Sequence, residues 1–169
     1  MGRHTYTLEE LSDIEDVKAL KYAYLRFLDQ KRWDDLATLF MPDATAAYSG
    51  GRYSYTGSAE IVAFLERNMG REGFHSSHRA HHPEISLDGD RAEATWALED
   101  LVVDTDLGFV LMGAAFYEEV CVRVGGEWRF EHMGYRRSFE CMYPTSSLEG
   151  FALTASWWGT DGRSTLPVV

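Results

Sequence analysis

A chain of 169 residues, 45% hydrophobic and 14% aromatic, has the length and the apolar content for one folded domain with a real core. Its formal charge of −11 sets it against nucleic-acid phosphates and against an anionic membrane surface, and no apolar run approaches the roughly 18 residues of a membrane helix. These exclusions leave a neutral or apolar small molecule, or another protein, as partner. The polar start MGRHTYTLEE and the two isolated cysteines, Cys121 and Cys141, point to a cytoplasmic protein with reduced thiols.

Thr7 followed by Glu10 is a capping box and opens an amphipathic helix from Leu8 to about Gln30. Leu11, Ile14, Val17, Leu20, Phe27 and Leu28 recur along it at helical spacing, which predicts one buried stripe. RWDDLATLF, Arg32 to Phe40, is a second short helix stopped by Met41-Pro42-Asp43. ATAAYSGGRYSYTG follows as a hairpin turning at Gly50-Gly51, and Ser58 caps a third helix to about Asn68. Beyond Gly73 the period changes to two. EISLDGDRAEATWALEDLVV is two strands joined at Asp88-Gly89, and two more meet at Gly125-Gly126. Helices first and a long antiparallel meander after them predict an α+β fold, with the helices on one face of a curved sheet.

The tail is richer in Ser, Thr and Gly, yet it carries Phe151, Trp157 and Trp158. We therefore divide the chain into a domain over 1–140 and an extension over 141–169 that docks on its own body or on a neighbouring subunit. The long sheet face, which three short helices cannot fully cover, adds the expectation of a homodimer or homotrimer.

Four of the six histidines fall between His75 and His82, in FHSSHRAHHPEISLDGD. In an unbroken strand His78 and His82 share one face, and His75 and His81 the other, so the four do not converge on a point. Two same-face histidines with Asp29 and Asp100 would make a carboxylate–imidazole metal site, but the chain has no H-x-H or HExxH motif. An unbroken strand also points His78 away from Ile85 and Leu87, the core residues of that run; a bulge near His81–Pro83 brings all three to one side.

The stretches LKYAYLRFLDQKRWDDLATLFMPDA, H-x-x-x-H-P-E-I-S-L-D-G-D-R-A, WALED, and EWRF followed by GYRRSFE carry a resemblance. Over about residues 10–140 the chain resembles the SnoaL-like branch of the nuclear-transport-factor-like, cystatin-like superfamily. Within that branch it is similar to scytalone dehydratase, bile-acid 7α-dehydratase and hexachlorocyclohexane dehydrochlorinase. The resemblance implies a cone-shaped fold with a pocket at its mouth, and enzymes that work without metal or cofactor. By position, it implies that His78 is the catalytic histidine, Asp29 its acidic partner, Tyr24 a catalytic tyrosine and Asp100 a further pocket aspartate. The chain departs from scytalone dehydratase at Leu28, where that enzyme has a tyrosine.

The chemistry of these residue types is consistent with that assignment. A carboxylate that accepts from one imidazole nitrogen fixes the tautomer and makes the other nitrogen a base, able to remove a C–H proton beside a carbonyl. Asp100 shares the period-two face of Trp96 and Leu98, where a carboxylate needs a partner. It would be a second acid–base or an orienting group, and Tyr24 a donor to a carbonyl or leaving group. Tyr48, Tyr55, Trp96, Phe116, Phe130 and Tyr135 would line an apolar pocket, although core packing explains each of them equally. Arg136-Arg137 is either a solvated edge or a partner for an acid such as Asp100. The expected activity is a dehydratase- or isomerase-type lyase acting on an apolar, polycyclic-type carbonyl compound. The alternative is a non-catalytic small-molecule-binding or assembly module, which has no need of a buried Asp–His pair.

Overall fold

The structure is a computed structural model that describes residues 5–167. Three helices, α1 (Leu8–Asp29), α2 (Trp33–Thr38) and α3 (Ser58–Met69), pack on one curled six-stranded sheet. Its strands are β1 (Phe40–Tyr48), β2 (Tyr53–Thr56), β3 (Phe74–Asp88), β4 (Arg91–Asp104), β5 (Phe109–Val124) and β6 (Glu127–Pro144), in spatial order β2-β1-β6-β5-β4-β3. Among the described residues only β1 and β6 run parallel, because the chain crosses back with α3 and the β3–β6 meander between them. This is the α+β cone that the order of elements predicts.

Local chemistry sets the element ends. Thr7 and Glu10 form the capping box reciprocally at the start of α1, whose buried stripe is Val17, Leu20, Tyr24, Leu25 and Leu28. The second helix is shorter than its sequence suggests. Phe40 already belongs to β1, and Pro42 lies inside that strand, where the pairing with β6 is irregular between Phe40 and Thr45. A residue without an N–H is tolerated where the ladder is already broken. At α3 the cap is Gly57, with φ +94, and Ser58 is the first helical residue instead.

The arrangement of β3 decides what the site contains. Along β4 the buried residues Ala92, Ala94, Trp96, Leu98, Asp100, Val102 and Asp104 follow an unbroken period of two. Their partners on β3 do not. Ile85 pairs with Ala94 and Leu87 with Ala92, but beyond a register shift between His81 and Glu84 it is Ala80, His78 and Ser76 that pair with Leu98, Asp100 and Val102. One extra residue lies in that shift, where His82 takes a left-handed φ of +50. The bulge therefore switches the inward face from odd to even numbers, and Ile85, Leu87 and His78 all face inward, as the sequence required.

A second extra residue, in β6 opposite Ala114–Ala115, turns that strand between Arg137 and Phe139. β6 stays in the sheet to Pro144, four residues past the boundary drawn at 140. Beyond it, the Trp158 ring lies 4.8 Å from Lys31 Nζ, just past the end of α1.

Candidate active site

Between the inner face of the sheet and helices α1 and α3 lies a cavity of about 260 Å³. Tyr24 and Leu28 of α1, Phe64 and Asn68 of α3, and Leu98, Tyr117 and Tyr135 of the sheet line it, so its walls are largely aromatic. His78, Asp100 and Arg137 bring an imidazole, a carboxylate and a guanidinium to its lining, beside the tyrosine hydroxyls.

His78 reaches the cavity from β3, and Asp29, the last residue of α1, stands behind it. The ring Nδ1 of His78 lies 2.6 Å from Asp29 Oδ1, and the His78 backbone N–H donates to Oδ2 at 2.9 Å. Ser76 Oγ donates to Oδ1 at 2.8 Å. A carboxylate oxygen accepts from the ring, so Nδ1 carries a proton, and in the neutral imidazole Nε2 is then the bare nitrogen. Asp29 thus joins the site through His78 without lining the cavity itself.

His78 and Asp100 are direct partners across β3 and β4. Both Asp100 oxygens are taken by Arg137, Nη1 to Oδ1 at 2.5 Å and Nη2 to Oδ2 at 2.8 Å, in a fork that fixes both planes. Gly113, the β5 partner of Asp100, makes room for this pair, since a Cβ there would collide with both side chains. Of the two neighbouring arginines, Arg137 is therefore the pocket residue. Arg136 is exposed and lies 3.7 Å from Glu118.

Tyr24, Tyr48, Tyr117 and Tyr135 bring their rings to the same cavity. Burial raises the pKa of all four above the usual tyrosine value, that of Tyr24 and Tyr117 strongly. Their hydroxyls therefore stay protonated and can donate. The Tyr48 hydroxyl is buried beside that of Tyr24, its polar neighbour, in a contact short of good hydrogen-bond alignment. A buried hydroxyl left in that state costs stability.

The other aromatic residues expected at the pocket lie elsewhere. Phe116 sits on the outer face of β5 and is 51% exposed, because the inward residues of that strand are odd-numbered. Trp96 and Phe130 are buried in the core beneath the cavity, and Tyr55 stacks on the outside of the lining residue Phe64 at 4.5 Å. Two residues in the cluster turn out differently from the unbroken-strand picture: His82 lies in the bulge, and His81 faces Glu99 at 3.9 Å. Among the described residues, no three His, Cys, Asp or Glu side chains are placed to hold a metal.

A buried ion pair beneath the site escaped the sequence reading. Lys21 of α1 donates to Glu119 of β5, Trp96 Nε1 donates to the other Glu119 oxygen at 2.9 Å, and all three side chains are buried. The Lys21 ammonium lies 3.1 Å from the Tyr117 ring centroid and 4.9 Å from that of Tyr24. Burial lowers the Lys21 pKa and raises that of Glu119, each toward its neutral form, and their contact opposes both shifts. In the sequence, Lys21 looks like a solvated helix residue and Glu119 like a solvated strand residue; only the pairing of α1 with β5 reveals them.

The SnoaL-like domain family matches this chain over residues 9–134. The uncharacterized protein Rv2910c of Mycobacterium tuberculosis H37Rv is 26% identical over 148 residues, which cover 84% of this chain and 97% of that protein. A solved structure provisionally named a scytalone dehydratase, from Novosphingobium aromaticivorans DSM 12444, superposes with a TM-score of 0.73 at 21% identity, over 79% of this chain and 89% of that one. The hexachlorocyclohexane dehydrochlorinase LinA-type3 of Novosphingobium barchaimii LL02 gives 0.73 at 17% identity, over 88% and 99%. At such identities the structural likeness establishes the fold.

Proposed function

Since the chain belongs to the SnoaL-like domain family, we propose that it is a cofactor-independent lyase or isomerase in which His78 removes a proton beside a carbonyl. The observation that carries this reading is the Asp29–His78 pair at the cavity wall, which in the neutral imidazole leaves Nε2 free to act as the base. A storage or assembly module gains nothing from it. The names of the solved relatives, a dehydratase and a dehydrochlorinase, support elimination as the reaction type.

In a dehydration, His78 Nε2 takes the proton from the carbon next to the carbonyl, and Asp29 stabilises the imidazolium that forms. The negative charge then moves onto the carbonyl oxygen, where hydroxyl donors are needed. Tyr48 and Tyr24, whose hydroxyls lie beside each other, are suited to that role because burial keeps both protonated. The electron pair closes the new C=C bond as the C–O bond breaks, and the imidazolium proton leaves with the hydroxide as water. Asp100, engaged by Arg137 on both oxygens, acts as an orienting group.

The substrate class follows from the cavity. Aromatic walls and a mutually neutralised Asp100–Arg137 pair suit a neutral, largely apolar, ring-bearing carbonyl compound. The same reading makes the protein cytoplasmic, with Cys121 and Cys141 free. It also makes it a homodimer or homotrimer, joined through the outer sheet face where Met112, Phe116 and Phe139 are exposed. Light scattering at micromolar concentration tests the assembly, and a monomer there rejects it.

The test of the chemistry is direct. With 3-hydroxy-1-tetralone as probe, loss of water gives 1-naphthol, read by its fluorescence, and His78→Ala should abolish the signal. Tight binding of such bicyclic hydroxy ketones without turnover of any of them would make the protein a binding module.

A further inference from the structure

We infer that Ser76 is a positioning residue for His78, acting through Asp29. This rests on the function proposed above for its catalytic consequence, but not for its structural one.

Asp29 is poorly placed to hold a carboxylate by itself. It is the last residue of α1, at the negative end of the helix dipole, where an anion is disfavoured and where the last turn is free to fray. Three donors from β3 compensate. Ser76 Oγ and His78 Nδ1 both give a hydrogen bond to Oδ1, and the His78 backbone N–H gives one to Oδ2. Ser76 and His78 are two apart on the even-numbered face of β3 that the His82 bulge turns inward. The same backbone feature therefore delivers the base and the clamp for its partner. Without Ser76 the carboxylate depends on His78 alone, the very residue that it has to orient.

Ser76 does not line the cavity. Its loss should therefore leave substrate binding untouched and disturb only the aim and tautomer of the imidazole. With Ser76 gone, Oδ1 can swing and the ring Nδ1–H is held less often, so some rings present the protonated nitrogen to the cavity.

The decisive measurement needs no substrate. In the full-length protein, the nitrogen–proton spectrum of the His78 ring should show a slowly exchanging Nδ1–H. In Ser76→Ala its exchange with water should rise about tenfold, the scale of one lost hydrogen bond. Ser76→Thr, which keeps the hydroxyl, should restore it. With 3-hydroxy-1-tetralone, kcat in Ser76→Ala should fall about tenfold with KM within twofold, because a displaced base costs rate without costing binding. Unchanged Nδ1–H exchange in Ser76→Ala overturns the inference whatever the kinetics do. If His78→Ala still dehydrates the tetralone while Ser76→Ala loosens the ring proton, the proposed chemistry fails and the positioning role stands.

Discussion

The Asp29 carboxylate accepts from both the ring and the backbone of His78, through different oxygens. A side chain held at two points by the residue that it orients leaves the imidazole one way to face. His78→Ala should therefore abolish turnover, since loss of a general base costs about 10²–10⁴ in rate. Asp29→Asn should retain a weak remnant. The amide still reaches the ring but brings no charge to the imidazolium, and its NH₂ can select the wrong tautomer. Steady-state rates on 3-hydroxy-1-tetralone decide it, with circular dichroism to show that both variants fold. A full rate in His78→Ala would shift the search for a base to Asp100.

Tyr48 separates function from stability. Its buried hydroxyl has that of Tyr24 beside it in poor alignment, so Tyr48→Phe should change stability by no more than about 1 kcal/mol. If that hydroxyl holds the substrate oxygen, kcat/KM should fall about tenfold to a hundredfold. Urea midpoints and rates measured on one preparation test both halves. A loss of stability with unchanged rates would make Tyr48 a packing residue only.

The tyrosine pKa shifts also carry a sign. Burial raises Tyr24, Tyr48 and Tyr117 above the ordinary value of 10.0, so none should ionise within the working range. The kcat/KM profile should then show no tyrosine-dependent decline up to about pH 10. A decline that Tyr48→Phe removes would show that the hydroxyl ionises after all.

The Lys21–Glu119 pair should behave as a buried charge pair does. Lys21→Met leaves Glu119 buried without its cation and should cost about 3–5 kcal/mol. Lys21→Met combined with Glu119→Gln removes both charges and keeps an acceptor for Trp96 Nε1, so it should recover most of that loss. Denaturant titration of the two variants checks the non-additivity. Equal destabilisation by both would mean that the charges contribute nothing as a pair.

How much of this was legible in the sequence depends on range. The Thr7–Glu10 capping box and the turns at Asp88-Gly89 and Gly125-Gly126 are local, and they are in place. The bulge was legible as a conflict, because Ile85 and Leu87 could share a face with His78 only if β3 gained a residue. Phe116 failed because an aromatic residue in a strand carries no mark of which face it takes until the register is known. Lys21, Glu119 and the Ser76 contact to Asp29 were out of reach, since each depends on a meeting of elements far apart in the chain. Arg137 was visible only as a pair of options, which the register of β6 resolves by pairing Arg137 with the inward Ala115 and Arg136 with the outward Phe116.

Strong acid should loosen the contact between Arg71 and the end of β4. Burial opposes the charge on Asp104, but the Arg71 guanidinium and the backbone N–H groups of Leu107 and Asp106 outweigh it and lower its pKa below 3.8. A depressed acid contributes stability above its unfolded value and loses it as the pH falls through the folded one. Asp104→Asn should therefore be less stable at neutral pH and flatter than the parent below about pH 4. Urea midpoints taken at intervals across that range test it, and parallel curves would rule it out.

The left-handed residue in the bulge gives the sharpest test of the fold's logic. His82 has φ +50, a conformation that costs an L-residue about 1–2 kcal/mol and glycine almost nothing. His82→Gly should keep the bulge and leave stability equal or higher, by up to about 1 kcal/mol. His82→Val should lower it by about 1–2 kcal/mol, because a β-branched side chain is least tolerant of that backbone. The two changes act on one exposed position and remove the same imidazole, so a lost side-chain contact would lower both variants together. Because the bulge turns Ser76 and His78 inward, the valine variant should also lose turnover in proportion to any slip in register, while the glycine variant keeps it. Urea midpoints that fall equally for glycine and valine would show that the backbone of His82 is not what sets the face of β3.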